Sequence, residues 1–214
     1  MKVSKLFSII SAVLIFTGCA KYIKSEVVVF HKFPELQGTV KYAFQVSKSQ
    51  EEDLEYITYR DLIKNELAGH RFEEVPFDEA EMIVLFEYSI DRGREIIRTS
   101  PVYGETGVLS STTYGNIKED GGNTTYYETT TYTPSYGRTG SQIYTVIEFV
   151  RSLTVRILDK SSFYSGKPEL LYKANVVSKG EESRLVKIIP AMVKSLFRKF
   201  PGKSGSTRSE KIFY

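Results

Sequence analysis

One cysteine, two histidines and no tryptophan occur in 214 residues, and the charges nearly cancel, 29 basic against 26 acidic. Each scarcity excludes something. A single thiol cannot close a disulfide within the chain. His31 and His70 have no histidine or cysteine nearby at ligand spacing, so the common zinc patterns are absent. A net charge of +3 supplies no basic field for nucleic acid. The longest apolar run, Leu6 to Phe16, is 11 residues. A bilayer-spanning helix needs about 20. There is no Gly-x-Ser-x-Gly elbow. Gly202-Lys203-Ser204 imitates the end of a phosphate loop, but Phe197 stands where its first glycine belongs.

What is present begins at the amino terminus. Lys2 and Lys5 precede the apolar run, and Thr17-Gly18-Cys19-Ala20 follows it. Basic start, short apolar stretch and small residues before cysteine form the pattern of a lipoprotein signal. Residues 1–18 are therefore expected to be a leader, with Cys19 acylated on its thiol and new amino terminus, and 19–25 a linker. Acylation also consumes the one thiol, which leaves no cysteine nucleophile. Three acyl chains exceed the two signals that stable anchoring takes. Ala20 is not the aspartate that favours inner-membrane retention. The expected location is the periplasmic face of a Gram-negative outer membrane. Loss of Lys2 and Lys5 with the leader leaves 27 basic residues against 26 acidic.

Periodicity organises the remainder. Glu26 to Phe33 holds Val27-Val28-Val29 and reads as a strand, and Val40, Tyr42, Phe44 and Val46 alternate with polar or small residues. Ser49 and Glu52 match a capping box, followed by Leu54, Ile57, Leu62, Ile63 and Leu67 at helical spacing, with Gly69 as the stop. Met82 to Ile90 is a strand, with Asp91-Arg92-Gly93 as a turn. Ile143 to Leu158 is the longest strand signal, with Thr145 and Arg151 interrupting its apolar parity, and Leu170 to Val177 is its antiparallel partner. Leu185, Ile189, Met192, Val193, Leu196 and Phe200 mark a last helix that contains Pro190.

This order predicts an α+β domain over 26–202, mainly an antiparallel sheet with two helices packed on one face. A long polar insertion at 103–144 interrupts it. The tail, 203–214, is polar and is expected to be disordered.

Tyr42-Ala43-Phe44-Gln45, the helix from Leu54 to Leu67, Ala80-Glu81-Met82-Ile83-Val84 and the closing Ile189 to Gly202 resemble the domain-of-unknown-function 4136 family of bacterial lipoproteins. The resemblance spans roughly residues 25–202; the chain departs from it at Glu81, where the family has aspartate, and through the insertion. It implies an α+β domain in a lipoprotein context. It brings no established activity or catalytic residue.

Three functional expectations follow. Insertion 103–144 carries seven of the 15 tyrosines among threonine and glycine. Tyrosine joins a flat apolar face to a polar tip, suited to sugar rings or protein surfaces. The leading expectation is a non-enzymatic binding or assembly module. Tyr114, Tyr126, Tyr127, Tyr132 and Tyr136 are its candidate contacts, and an envelope protein, peptidoglycan or another polysaccharide its partner besides the membrane. No cofactor, metal or nucleic acid is expected. The alternative is an envelope glycan hydrolase or transferase using surface carboxylates, for which Asp78, Glu79, Glu81 and Asp159 are available. A structural lipoprotein is the third. Cys19→Ser tests the anchor they share: the variant is expected to lose acylation, processing and membrane retention in fractionated cells, and wild-type processing would refute it.

Overall fold

A computed structural model describes residues 22–33 and 38–213. Cys19, the expected leader 1–18 and Tyr214 lie outside them. The chain divides into two compact units, Met1–Arg94 with Ile147–Tyr214, and Glu95–Val146.

In chain order the elements are β1 (Tyr22–His31), β2 (Val40–Phe44), α1 (Lys48–Glu51), α2 (Leu54–Ala68), β3 (Phe72–Glu74), a 3-10 turn (Phe77–Glu79), β4 (Met82–Ile90), β5 (Arg94–Asp120), β6 (Asn123–Asp159), α3 (Lys160–Phe163), β7 (Leu170–Gly180), α4 (Leu185–Phe197) and β8 (Ser206–Phe213). The sheet order is β3-β2-β4-β6-β7-β1-β8, with β5 paired to β6.

The expected mainly antiparallel sheet with two helices on one face is overturned. Among the described residues strand makes up 59% and helix 21%, in a mixed sheet of 8 strands. Parallel pairing enters at β2, which runs alongside both β3 and β4 in the same direction. The chain between β2 and β3 includes α1 and α2, a connection long enough for the crossover that parallel strands require. The excess of strand comes from β5 and β6, of 27 and 37 residues. Their many threonines and tyrosines favour extended backbone.

Alternation along β1 directs Ile23, Val27 and Val29 inward and Lys24 and Glu26 outward. The inward residues share one core with Leu153, Val155 and Ile157 of β6 and with α2 and α4. In α4 the buried set is Ile188, Ile189, Ala191, Met192, Val193, Ser195, Leu196 and Phe197, and the helix continues through Pro190. In α2 the buried stripe is Tyr56, Tyr59, Ile63 and Leu67, capped by Asp53, which accepts from the Glu55 and Tyr56 amides. Two of the apolar residues expected on that stripe are therefore displaced by tyrosines, and Leu54 is exposed. The capping box also sits elsewhere, between Ser47 and Gln50 at the start of α1.

Arg151 points inward and is buried. Its Nη1 donates to the Gly180 and Glu182 carbonyls, both at 3.0 Å, and its Nη2 to Ser178 Oγ at 2.9 Å. The interruption in the parity of β6 is thus a cation placed to satisfy the end of β7.

Two boundaries need correction. Tyr22 to Ser25 belong to β1 instead of a linker. The tail expected to be disordered forms β8, antiparallel to β1 from Tyr22 opposite Phe213 to Val29 opposite Ser206. Polar side chains hold it. Arg208 Nη2 donates to the Ser195 and Leu196 carbonyls, at 3.1 and 2.7 Å, where α4 runs out of internal donors. Buried Glu210 meets Arg198 at 3.2 Å and Arg208 at 3.3 Å. His31 Nε2 also lies 3.0 Å from the Gly202 carbonyl, tying the approach to β8 back to β1. Glu210→Ala removes the carboxylate that Arg198 and Arg208 share, while Arg208 keeps its two carbonyl acceptors, and is expected to cost about 2 kcal/mol in chemical denaturation. Ser209→Ala on the exposed side of the same strand should cost under about 0.5 kcal/mol.

Candidate functional site

The tyrosine-rich segment forms a two-stranded ribbon. Its turn is Gly121-Gly122, with φ of +58° and +88°. Positive φ at both central residues matches the twist of a two-residue hairpin, and glycine adopts it without penalty. Contacts up the ribbon follow an antiparallel course. Thr113 and Thr130 hydroxyls meet at 2.9 Å, and those of Thr106 and Ser135 at 3.0 Å. Tyr136 OH donates to Glu105 at 3.0 Å.

The pleat sorts the tyrosines. Side chains alternate between faces along a strand. Tyr126, Tyr132 and Tyr136 therefore share one face, which Tyr144 continues. The Tyr136–Glu105 bond adds the odd-numbered residues of β5 to it, including Tyr103, Leu109 and Ile117. Tyr114 and Tyr127 lie on the opposite face, among Thr125, Thr129, Thr131 and Thr133. Of the five tyrosines expected to act together, the structure unites three and separates two. All five are 60–71% exposed, as are Leu109 and Ile117 at 71% and 69%. Tyr132 and Tyr136, four residues apart on one strand, are about 13 Å apart along it. Glycine shapes this face once: a Cβ on Gly115 would collide with the Tyr126 ring and hydroxyl.

The carboxylates are placed differently. Asp78 and Glu79 lie in the 3-10 turn. Glu81 and Asp159 line one open depression of about 500 Å³ with Ala80, Lys160, Ser161 and Tyr164. Asp159 is engaged there as the cap of α3. It accepts from the Ser162 amide at 2.9 Å and from the Ser161 hydroxyl. The Ser161 hydrogen bond holds the Asp159 carboxyl below its ordinary range, outweighing the opposing effect of burial. Among the described residues no three acidic, histidine or cysteine side chains gather as metal ligands. His70 lies against Phe197 and Phe200 in the core.

Asp159→Ala removes the cap and is expected to cost about 1 kcal/mol. Because the folded carboxyl titrates below its unfolded value, its contribution is present above the ordinary carboxylate pKa. It is lost as pH falls through the lowered folded value. Urea midpoints of the two proteins should therefore converge in acid.

Among solved structures the chain is similar to a PDZ domain protein from Parabacteroides distasonis ATCC 8503, at 12% identity and a TM-score of 0.48. That alignment covers 97% of this chain and 42% of the other, so the chain spans less than half of that protein's length. Among curated proteins none matches. The sequence profile of the domain of unknown function DUF4136 matches residues 29–202. With the end of β1 and all of β2 through α4 inside that span, and the ribbon with them, the chain belongs to the DUF4136 family.

Proposed function

We propose that this protein is a lipid-anchored, non-enzymatic module of the cell envelope that binds a partner through its ribbon. The observation that carries the reading is the face formed by Tyr103, Tyr126, Tyr132, Tyr136, Leu109 and Ile117. A two-stranded ribbon is marginal in water unless something packs on it. Here the aromatic and aliphatic side chains are spent on the surface, where they contribute little to folding. Rigid tyrosines on a regular strand provide contact area at small cost in side-chain entropy. The open strand edges add backbone donors and acceptors that a protein partner can pair. An envelope protein fits both features; a peptidoglycan or polysaccharide chain fits the stacking rings alone. The anchor at Cys19 confines the search to the membrane surface.

The depression beside Glu81 keeps a hydrolase or transferase as the second reading. Glycoside chemistry asks one carboxyl to hold its proton near neutral pH. Asp159 is shifted the other way and serves as a cap, which weighs against that reading.

Deleting residues 104–142 is expected to leave a folded domain by circular dichroism while abolishing partner capture. A photo-crosslinking residue at Tyr132 in intact cells should yield a discrete adduct, and the same residue at Tyr127 a weaker one. Tyr126→Ala with Tyr136→Ala should reduce the adduct about thirtyfold without changing thermal stability, since each stacked ring contributes on the order of 1 kcal/mol. Equal adducts from both faces would sink the face-specific reading. Glycan hydrolysis lost on Glu81→Gln would replace it with the enzyme.

A further inference from the structure

The outward face of β1, β7 and β8 carries a second arrangement, at the end of the sheet where β1 begins. Tyr22 pairs with Phe213 across the two strands, and their rings meet edge to face at 6.0 Å. Both are more than half exposed. Lys211 Nζ lies 3.7 Å from the Tyr22 ring centre and 5.9 Å from that of Phe213. One step along, Lys24 stands directly opposite Lys211. On its other side the register that pairs Ser25 with Ser178 brings Lys179 into the same row. Lys24 and Lys179 also line a shallow depression of about 410 Å³ on this face.

Three lysines abreast on adjacent strands repel one another. None of them has a carboxylate partner among the described residues. Aromatic rings with a polar edge, next to long basic side chains, are the residues found at bilayer interfaces. Position supplies the third argument. Tyr22 follows Cys19 by three residues, which span at most about 11 Å when fully extended. A headgroup layer is roughly 5–8 Å deep on each side of the hydrocarbon. A chain held by acyl groups on Cys19 therefore keeps Tyr22 at or just above that layer.

We infer that this end of the sheet is a membrane footing. Tyr22 and Phe213 sit at headgroup level, and the row Lys179, Lys24 and Lys211 lies against anionic phospholipid. The inference rests on the anchored reading, because it takes its distance from Cys19. It adds an orientation. The end of β1 that carries the aromatic pair faces the bilayer, and the end with His31, about 30 Å further along the strand, faces away.

Because the sequence has no tryptophan, Phe213→Trp is a single reporter. The full chain, purified from cells, is reconstituted into phosphatidylethanolamine–phosphatidylglycerol vesicles containing brominated lipid. Its emission is expected to shift to the blue and be quenched. Tyr164→Trp serves as the control, since it follows α3 at the other end of the sheet, and should show neither effect. Replacing Lys24, Lys179 and Lys211 with glutamine on the Phe213→Trp background should lower the quenched population, by up to about fivefold per lysine. Water-like emission from Phe213→Trp in membrane-bound protein overturns the footing. So does a response to soluble polyphosphate with none to vesicles, which would make the row a polyanion site. Mass spectrometry of the same samples separates the two ideas. Acylated but unquenched protein removes the footing alone, and quenched but unacylated protein removes the anchor alone.

Discussion

The burial of α4 is the constraint on which the larger unit depends. Its eight buried side chains form a broad apolar face, leaving a narrow stripe of Lys187, Pro190 and Lys194 toward solvent, so the helix is stable only where most of its circumference is covered. One part of that enclosure is the inward row of β1 and β7. Another is α2, whose tyrosines are buried in the same core. The carboxyl end of α4 has carbonyls that the helix cannot satisfy, and Arg208 reaches them from β8. The strand at the edge and the helix in the centre are thus held by one set of contacts. Arg151 does the equivalent on β6, where its guanidinium replaces apolar packing with three directed hydrogen bonds. Both arginines sit where a purely apolar residue would leave buried carbonyls without donors.

How much of this was legible in the sequence depended on whether the signal was local. β4 and α4 follow from periodicity, and the structure has them at those positions, whereas Asp91-Arg92-Gly93, expected to be a turn, is an irregular break between β4 and β5, which both pair with β6. The stripe of α2 was misread because a pattern of aliphatic residues alone passes over Tyr56 and Tyr59. Their rings are nonetheless buried, and burial pushes both hydroxyls above their ordinary pKa. The mixed sheet was out of reach for a different reason. Strand direction around β2 is set by partners far away in the chain, and alternation is the same for parallel and antiparallel strands. The disordered reading of the tail failed on composition: Arg208, Glu210 and Ile212 alternate inward, but two of the three are charged, so the strand has no apolar signature.

The candidate site was legible in composition and not in arrangement. Tyrosine density pointed to the segment. Only the pleat, read with the Tyr136–Glu105 contact, shows that Tyr114 and Tyr127 belong to another face. The glycine pair at the turn was the available signal, since two adjacent glycines between alternating residues fix a two-residue hairpin and with it the pairing of every residue above.

That pairing has a consequence for how such ribbons can diversify. Because faces repeat every second residue, a change of one residue on each strand keeps the ladder but exchanges the two faces beyond it. A change of two on each strand preserves both. Length variation that retains the tyrosine face is therefore quantised: insertions and deletions arrive in matched pairs across the turn, and an unmatched residue becomes a bulge that re-aims the tip.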